Sequence, residues 1–177
     1  MHLRHYDHDG RARFVTFCTY KRIPLLTNNT FRKAVLETVC FVSSEFKLHL
    51  LGYVLMPEHV HLVIVPPEEV KLGSVVGEIK RQSALWIHDL LQKQGGMLMD
   101  QMTIIRDGVP RFVLWQRRCY DHNCRTEQDV WEKVNYCHNN PVKRGLAKSP
   151  ERWEWASYRY YADGANVLLE INLAEEP

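Results

Sequence analysis

His59 and His61 stand one residue apart in the run PEHVHLVIVP at 57–66, and Tyr136 and Asn140 stand four apart further along the chain. These are the side chains whose types and spacing can do chemistry. Strand side chains alternate between faces, so the two imidazoles project side by side and can grip one cation. Residues four apart on a helix share a face, so the phenol and the amide oxygen can face one place. Spacing alone leaves plainer readings open. A buried histidine often hydrogen-bonds within the core, and a helical tyrosine often packs with its hydroxyl satisfied. Cys119, His122, Cys124 and His138 invite a zinc reading, but neither a paired C-x-x-C nor a compact C-C-H-H pattern is present.

The elements that must position these groups can be read from the pattern. Val60, Leu62, Val63, Ile64 and Val65, closed off by prolines at both ends, give the histidine run the character of a buried strand. RFVTFCTY at 13–20 reads as a first strand, and KLHLLGYVLM at 47–56 as a strand joined to the histidine strand through a short Pro57-Glu58 hairpin. Between them, Asn29 and Thr30 can cap a helix carrying Phe31, Val35, Val39 and Val42 inward. Residues 70–94 form a long helical stretch with Val75, Ile79 and Trp86 as core candidates, stopped by Gly95-Gly96. Residues 95–110 look loosely built, and RFVLWQ at 111–116 reads as the fourth strand. Thr126 to Asp129 resembles a capping box opening a helix to about Asn139, where Pro141 ends it and leaves Asn140 at or just past the last turn. The order is βαββαβ, a ferredoxin-like split unit of the α+β class. Residues 1–177 make one domain, with an aromatic extension, SPERWEWASYRYY, beginning near 148.

Composition narrows the class. With 177 residues, 45% hydrophobic and 25% charged, the chain suits one globular core, and no apolar run approaches the ~20 residues needed to span a membrane. The polar opening is unlike a signal peptide, and five scattered cysteines do not suggest a secreted disulfide framework, so a cytoplasmic setting is expected. A net charge of +2 does not announce nucleic-acid binding, so local clusters must carry that point. Lys21-Arg22, Lys80-Arg81, Arg117-Arg118 and Lys143-Arg144 can neutralise phosphates, and Tyr6, Tyr20, Tyr120, Tyr158 and Tyr160 can stack on unpaired bases.

Taken together, GYVLMPEHVHLVIVP, LWQRRCYDH and VNYCHNNPVKRGL resemble the motifs of the single-tyrosine HUH transposases, and most closely the REP-associated tyrosine transposases of bacteria. The resemblance runs from about Arg11 to Tyr161 with the motifs in matching order. It implies a ferredoxin-like fold that cuts single-stranded DNA beside small hairpins and joins the 5′ phosphate to a tyrosine, without ATP. Carried over by motif, His59 and His61 are the metal-binding HUH pair, Tyr136 is the nucleophile, and Asn140 takes the third metal-binding place, which a glutamine fills in related insertion-sequence transposases. The implied metal is Mg2+ or Mn2+, whereas imidazoles alone leave zinc open. The implied partner is single-stranded hairpin DNA. Lys80 and Arg81 on the long helix, with Arg117, Arg118, Lys143 and Arg144, are its expected contacts, and a monomer is favoured over a homodimer. Two other classes share parts of this pattern: a domesticated binder of hairpin DNA or RNA, and a metal-dependent phosphoesterase that uses water.

Overall fold

The computed structural model of the protein describes residues 10–94, 97–164, 168–169 and 171. Four antiparallel strands form the main sheet: β1 (Arg13–Cys18), β2 (His49–Met56), β3 (His59–Val65) and, after four further elements, β6 (Tyr120–Asn123), in spatial order β2-β3-β1-β6. The histidine strand lies centrally, with Thr16 opposite His61 and Cys18 opposite His59 across the β1 ladder. Two helices back one face, α1 (Asn29–Phe46) and α2 (Leu72–Gln94). Their side chains enclose the larger core with Val15, Phe17, Tyr53, Leu55, Val60, Leu62 and Ile64. The period of two then obliges Phe14, Val63 and the histidines to face the other way, under α4 (Glu127–Lys143), where Val134 and Cys137 pack on Phe14, Val54 and Val63. This is the ferredoxin-like arrangement expected from the βαββαβ order.

Four local expectations are corrected. Helix α1 is capped one residue earlier, by Asn28, whose Oδ1 accepts from the N–H groups of Thr30 (2.8 Å) and Phe31 (3.4 Å). In α2, Val75 and Ile79 are buried, but Trp86 is 43% exposed and Ile87 takes the inward position. Residues 97–112 are ordered elements, α3 (Met97–Gln101) and a hairpin of β4 (Thr103–Arg106) with β5 (Val109–Phe112), inserted before the last sheet strand. The run 111–116 is therefore not the fourth strand: its start closes this separate ribbon and its end meets the main sheet only through a Thr19–Trp115 bridge. Gly95 and Gly96 lie outside the described residues.

The fourth correction concerns Pro141. Helix α4 is capped by Thr126, whose hydroxyl accepts from Asp129 N–H at 3.1 Å, and it continues through the buried Pro141 to Lys143. A proline removes one helical hydrogen bond, yet the turn is held beyond it by Arg144 N–H to Asn140 O at 3.0 Å and Leu146 N–H to Pro141 O at 2.8 Å. Asn140 thus stays helical, one turn beyond Tyr136.

The C-terminal segment runs antiparallel along β2. Leu55 N–H donates to Trp155 O at 2.9 Å, Ser157 N–H to Tyr53 O at 3.1 Å, and Trp153 Nε1–H to Leu55 O at 3.0 Å. The buried Ser157 hydroxyl accepts from Tyr53 N–H at 3.0 Å and lies 2.9 Å from Nε2 of His138 on α4, tying the segment to the tyrosine helix. Gly52, beside a register shift in β2, lets that helix approach: a Cβ there would stand 3.2 Å from Val134 Cγ2.

Candidate active site at the histidine strand

A cavity of about 340 Å³ opens between β1, β3 and α4, lined among others by Phe14, Thr16, Cys18, His59, His61, Tyr136 and Asn140. The two Nε2 atoms of His59 and His61 stand 3.0 Å apart, and the Asn140 amide nitrogen is 3.1 Å from His61 Nε2. The Tyr136 ring crosses the His61 ring at a centroid distance of 5.3 Å, and Phe14 stacks on His61 at 5.2 Å. His59, His61 and Asn140 are buried, whereas Tyr136 is 41% exposed. The four residues that the sequence singled out are therefore neighbours within one chain.

The outer nitrogens of the imidazoles are engaged. His59 Nδ1 is 3.1 Å from Glu58 Oε1, and His61 Nδ1 is 2.7 Å from Thr16 Oγ1. A carboxylate can only accept from His59, which leaves its Nε2 as a lone pair. Thr16 accepting from His61 turns the second Nε2 lone pair to the same point, the arrangement in which outer partners prepare histidines for a metal. Burial holds His61 to about 3, with the nearby His59 and Arg22 adding to the effect against Glu58, and burial also lowers His59 against the pull of Glu58. A proton between the rings is disfavoured.

These residues fit a divalent cation. Asn140 Oδ1 is buried and has no hydrogen-bond partner among the described residues. Turning the amide over, which exchanges nearly indistinguishable atoms, would present that oxygen to the histidine nitrogens. Two imidazole nitrogens 3.0 Å apart, with an amide oxygen beside them, are close enough to share one cation.

The basic residues sort differently. Lys143 Nζ lies 5.6 Å from the Tyr136 ring centroid, and Arg144 Nη1 donates to Glu58 Oε1 at 2.9 Å. Lys80 is occupied with the loop after Trp115, donating to Gln116 O at 3.0 Å and to the carbonyls of Arg117 and Arg118 at 3.4 Å. Arg81 is paired with Glu78 on the exposed face of α2. Arg117 and Arg118 are exposed next to Tyr120, which lines the cavity. Trp115 is buried, with Nε1–H donating to Ser83 Oγ at 2.9 Å. Tyr6 lies outside the described residues.

The proposed zinc grouping does not assemble as a set. His122 and Cys124 approach Asp129, their ligand atoms within 4.8 Å of one another, while His138 is bonded to Ser157 instead. His122 Nε2 already meets Asp129 at 2.9 Å, and Lys133 Nζ stands 3.8 Å from the same carboxylate, where its charge opposes a cation. Glu58 and Thr16 are the site residues that sequence reasoning passed over, and Arg22 entered it only as half of a basic pair. The signal for Thr16 was its place in the strand next to the histidines. Glu58 carried none beyond its position beside His59.

Comparison with known proteins places this architecture. Residues 9–102, which include the histidine strand but not the tyrosine helix, match the sequence model of IS200-like transposases. The REP-associated tyrosine transposase of Escherichia coli K12 is 26% identical over 174 residues, covering 97% of this chain and 88% of its own. A Haemophilus influenzae protein provisionally given the same designation is 24% identical over 135 residues, 73% of this chain and 68% of its own. A solved structure of a REP-associated tyrosine transposase bound to a REP hairpin superposes with a TM-score of 0.69 at 23% identity, covering 99% of this chain and 94% of that one. A fold with its histidines on the central strand and a sequence matched across more than half its length together establish that the chain belongs to the IS200-like transposase family.

Proposed function

We propose that this transposase is a metal-dependent single-stranded DNA endonuclease and strand transferase that cuts beside hairpin-forming palindromes through a 5′-phosphotyrosine intermediate. His59, His61 and Asn140 hold Mg2+ or Mn2+, and Tyr136 is the nucleophile. The observation that carries the reading is the placement of the accessible Tyr136 ring 5.3 Å from His61, beside two imidazole nitrogens 3.0 Å apart. The hairpin is taken from the related structure, whose protein is bound to one.

A phosphodiester repels nucleophiles because its oxygens are negative, and the cation, when bound, supplies charge withdrawal and a fixed phosphate. The chain does the rest. Tyr136 loses its phenolic proton, and its oxygen attacks phosphorus while the bond to the 3′ oxygen breaks. That oxygen leaves as a hydroxyl by taking up a proton, and the 5′ side stays esterified to Tyr136. The reverse attack by another 3′ hydroxyl rejoins DNA without ATP, since the phosphotyrosine keeps the energy of the broken ester. Phe14, Lys143 and the helix carrying Asn140 hold the phenol in place. Because Tyr136 sits beside the histidines of its own chain, the site needs no second copy, in keeping with a monomer.

The test is a denaturing gel of the protein and Tyr136→Phe with labelled single-stranded hairpins, with Mn2+ and with chelator. A metal-dependent covalent adduct made only by Tyr136 is expected. Free nicks without an adduct would make water the nucleophile, and binding without cutting would make the protein a hairpin binder.

A further inference from the structure

Glu58 is a buried carboxylate on which the ring of the adjacent His59 and two guanidinium groups from distant parts of the chain converge. Its Oε1 accepts from His59 Nδ1 at 3.1 Å, Arg22 Nη2 at 3.2 Å and Arg144 Nη1 at 2.9 Å. Both arginines line the same cavity as Tyr136 and the histidines, with side chains 55% and 46% exposed. A guanidinium has five donors. The contacts to Glu58, with one from Arg22 Nη1 to Cys18 Sγ at 3.4 Å, leave donors of each arginine for a ligand.

The backbone that carries Arg22 is also unusual. Lys21 and Arg22 both have positive φ, 51° and 55°, although neither is glycine. Each such residue costs about 1–2 kcal/mol, and consecutive ones persist only where the surroundings hold them. Thr19 does the holding. Its N–H and hydroxyl reach Glu58 O at 2.9 and 3.1 Å, its hydroxyl also donates to Ile23 O at 2.7 Å, and its carbonyl accepts from Arg22 N–H at 3.0 Å. The strained turn is thus fastened to the residue whose side chain receives Arg22. Arg144 arrives from the other side, one turn beyond Asn140 at the end of α4. Two guanidinium groups against one carboxylate leave a single positive charge over neutral imidazoles, matching the single negative charge of a phosphodiester.

We propose that Arg22 and Arg144 form a seat for a backbone phosphate of single-stranded DNA at the mouth of the histidine cavity. Glu58 is the positioning residue that fixes both guanidinium groups and the ring of His59. This rests on the reading that the cavity takes a DNA strand. Planar donor forks on opposite sides of one anion give geometry as well as charge, so the seat would orient the strand across Tyr136.

The experiment uses Tyr136→Phe protein in chelator, so that nothing is cut, and follows binding of a labelled single-stranded oligonucleotide by anisotropy over a salt titration. Arg22→Gln and Arg144→Gln should each weaken binding roughly tenfold and lower the slope of log affinity against log salt by about 0.7, with the double variant losing about 1.4. Arg22→Lys and Arg144→Lys should restore the slope, which guards against misfolding as the cause. In a separate titration without chelator, Glu58→Gln should lower Mn2+ affinity about tenfold, as for loss of an outer partner to a metal-binding histidine. A double variant with the parent slope would overturn the seat even if Tyr136 forms its adduct. The expected loss of slope in a protein that forms no adduct would keep the seat and remove the nuclease. Unchanged Mn2+ affinity in Glu58→Gln would overturn its positioning role.

Discussion

Ser157→Ala tests whether the C-terminal segment holds the tyrosine helix. The Ser157 hydroxyl is fully buried, accepts from Tyr53 N–H at 3.0 Å and meets His138 Nε2 at 2.9 Å. Alanine leaves a backbone donor and a ring nitrogen without partners, in a place where removing a methyl-sized oxygen opens no room for water. An unsatisfied buried group costs about 1–3 kcal/mol, so the pair amounts to roughly 2–6 kcal/mol. For a chain of this length, at about 2–4 °C per kcal/mol, that lowers the melting temperature by roughly 4–24 °C. Urea and thermal unfolding followed by circular dichroism, with Thr27→Ala as an exposed hydrogen-bond control, measure it directly. His138 lies between Tyr136 and Asn140 on α4, so adduct yield should fall at temperatures where the variant is still folded. A loss below about 1 kcal/mol would refute the reasoning, because it would mean that neither partner depended on the hydroxyl.

Three further outcomes are expected. Gly52→Ala, whose Cβ would meet Val134 Cγ2 at 3.2 Å, should cost about 1–3 kcal/mol by overpacking and reduce adduct yield, whereas Gly77→Ala, with nothing within 4 Å, should stabilise α2 by about 1 kcal/mol; urea midpoints compare the two. Burial holds His61 to about 3 and His138 to about 4, below the unfolded value near 6.5, so the unfolded chain binds more protons in that interval. Metal-free stability should therefore be complete above pH ~6.5 and fall as pH drops from there towards the native values, by about 1.4 kcal/mol per unit for each histidine, and a flat urea midpoint between pH 7 and 5 would contradict it. Lys80→Met should lower thermal stability by releasing the carbonyls of Gln116, Arg117 and Arg118 but leave the salt slope of DNA binding intact, whereas Arg117→Gln should lower that slope by about 0.7 if its guanidinium meets a phosphate.

The histidine strand was legible because alternation by two is local: once residues 59–65 are a strand, His59 and His61 must share a face. Helix α4 was legible for the same reason, which brings Tyr136 and Asn140 to one side. Three things were not local. The true fourth strand, Tyr120–Asn123, is short and polar and joins the sheet through its backbone ladder to β1, so it lacks the hydrophobic alternation that drew attention to 111–116. Pro141 did not end its helix, since hydrogen bonds formed beyond it keep the turn. Glu58 looked like an ordinary turn residue, and only partners 36 and 86 positions away bury its charge. Burial raises its carboxyl, yet the Arg144 hydrogen bond with the neighbouring charges outweighs that and holds it below the usual carboxylate range.

The segment that runs beside β2 has a consequence for how the molecule survives among copies of itself. Strand β2 ends the sheet, and its Tyr53, Val54 and Leu55 would otherwise present free peptide groups along an apolar edge, which is a template for another chain. Trp155, Ala156 and Ser157 occupy that edge from within the same chain. Cutting the chain before Trp153 should therefore yield a protein that retains its histidines and Tyr136 but associates edge to edge, with size growing with concentration. The aromatic tail, on this view, fills the place on β2 where a neighbour would begin to pair.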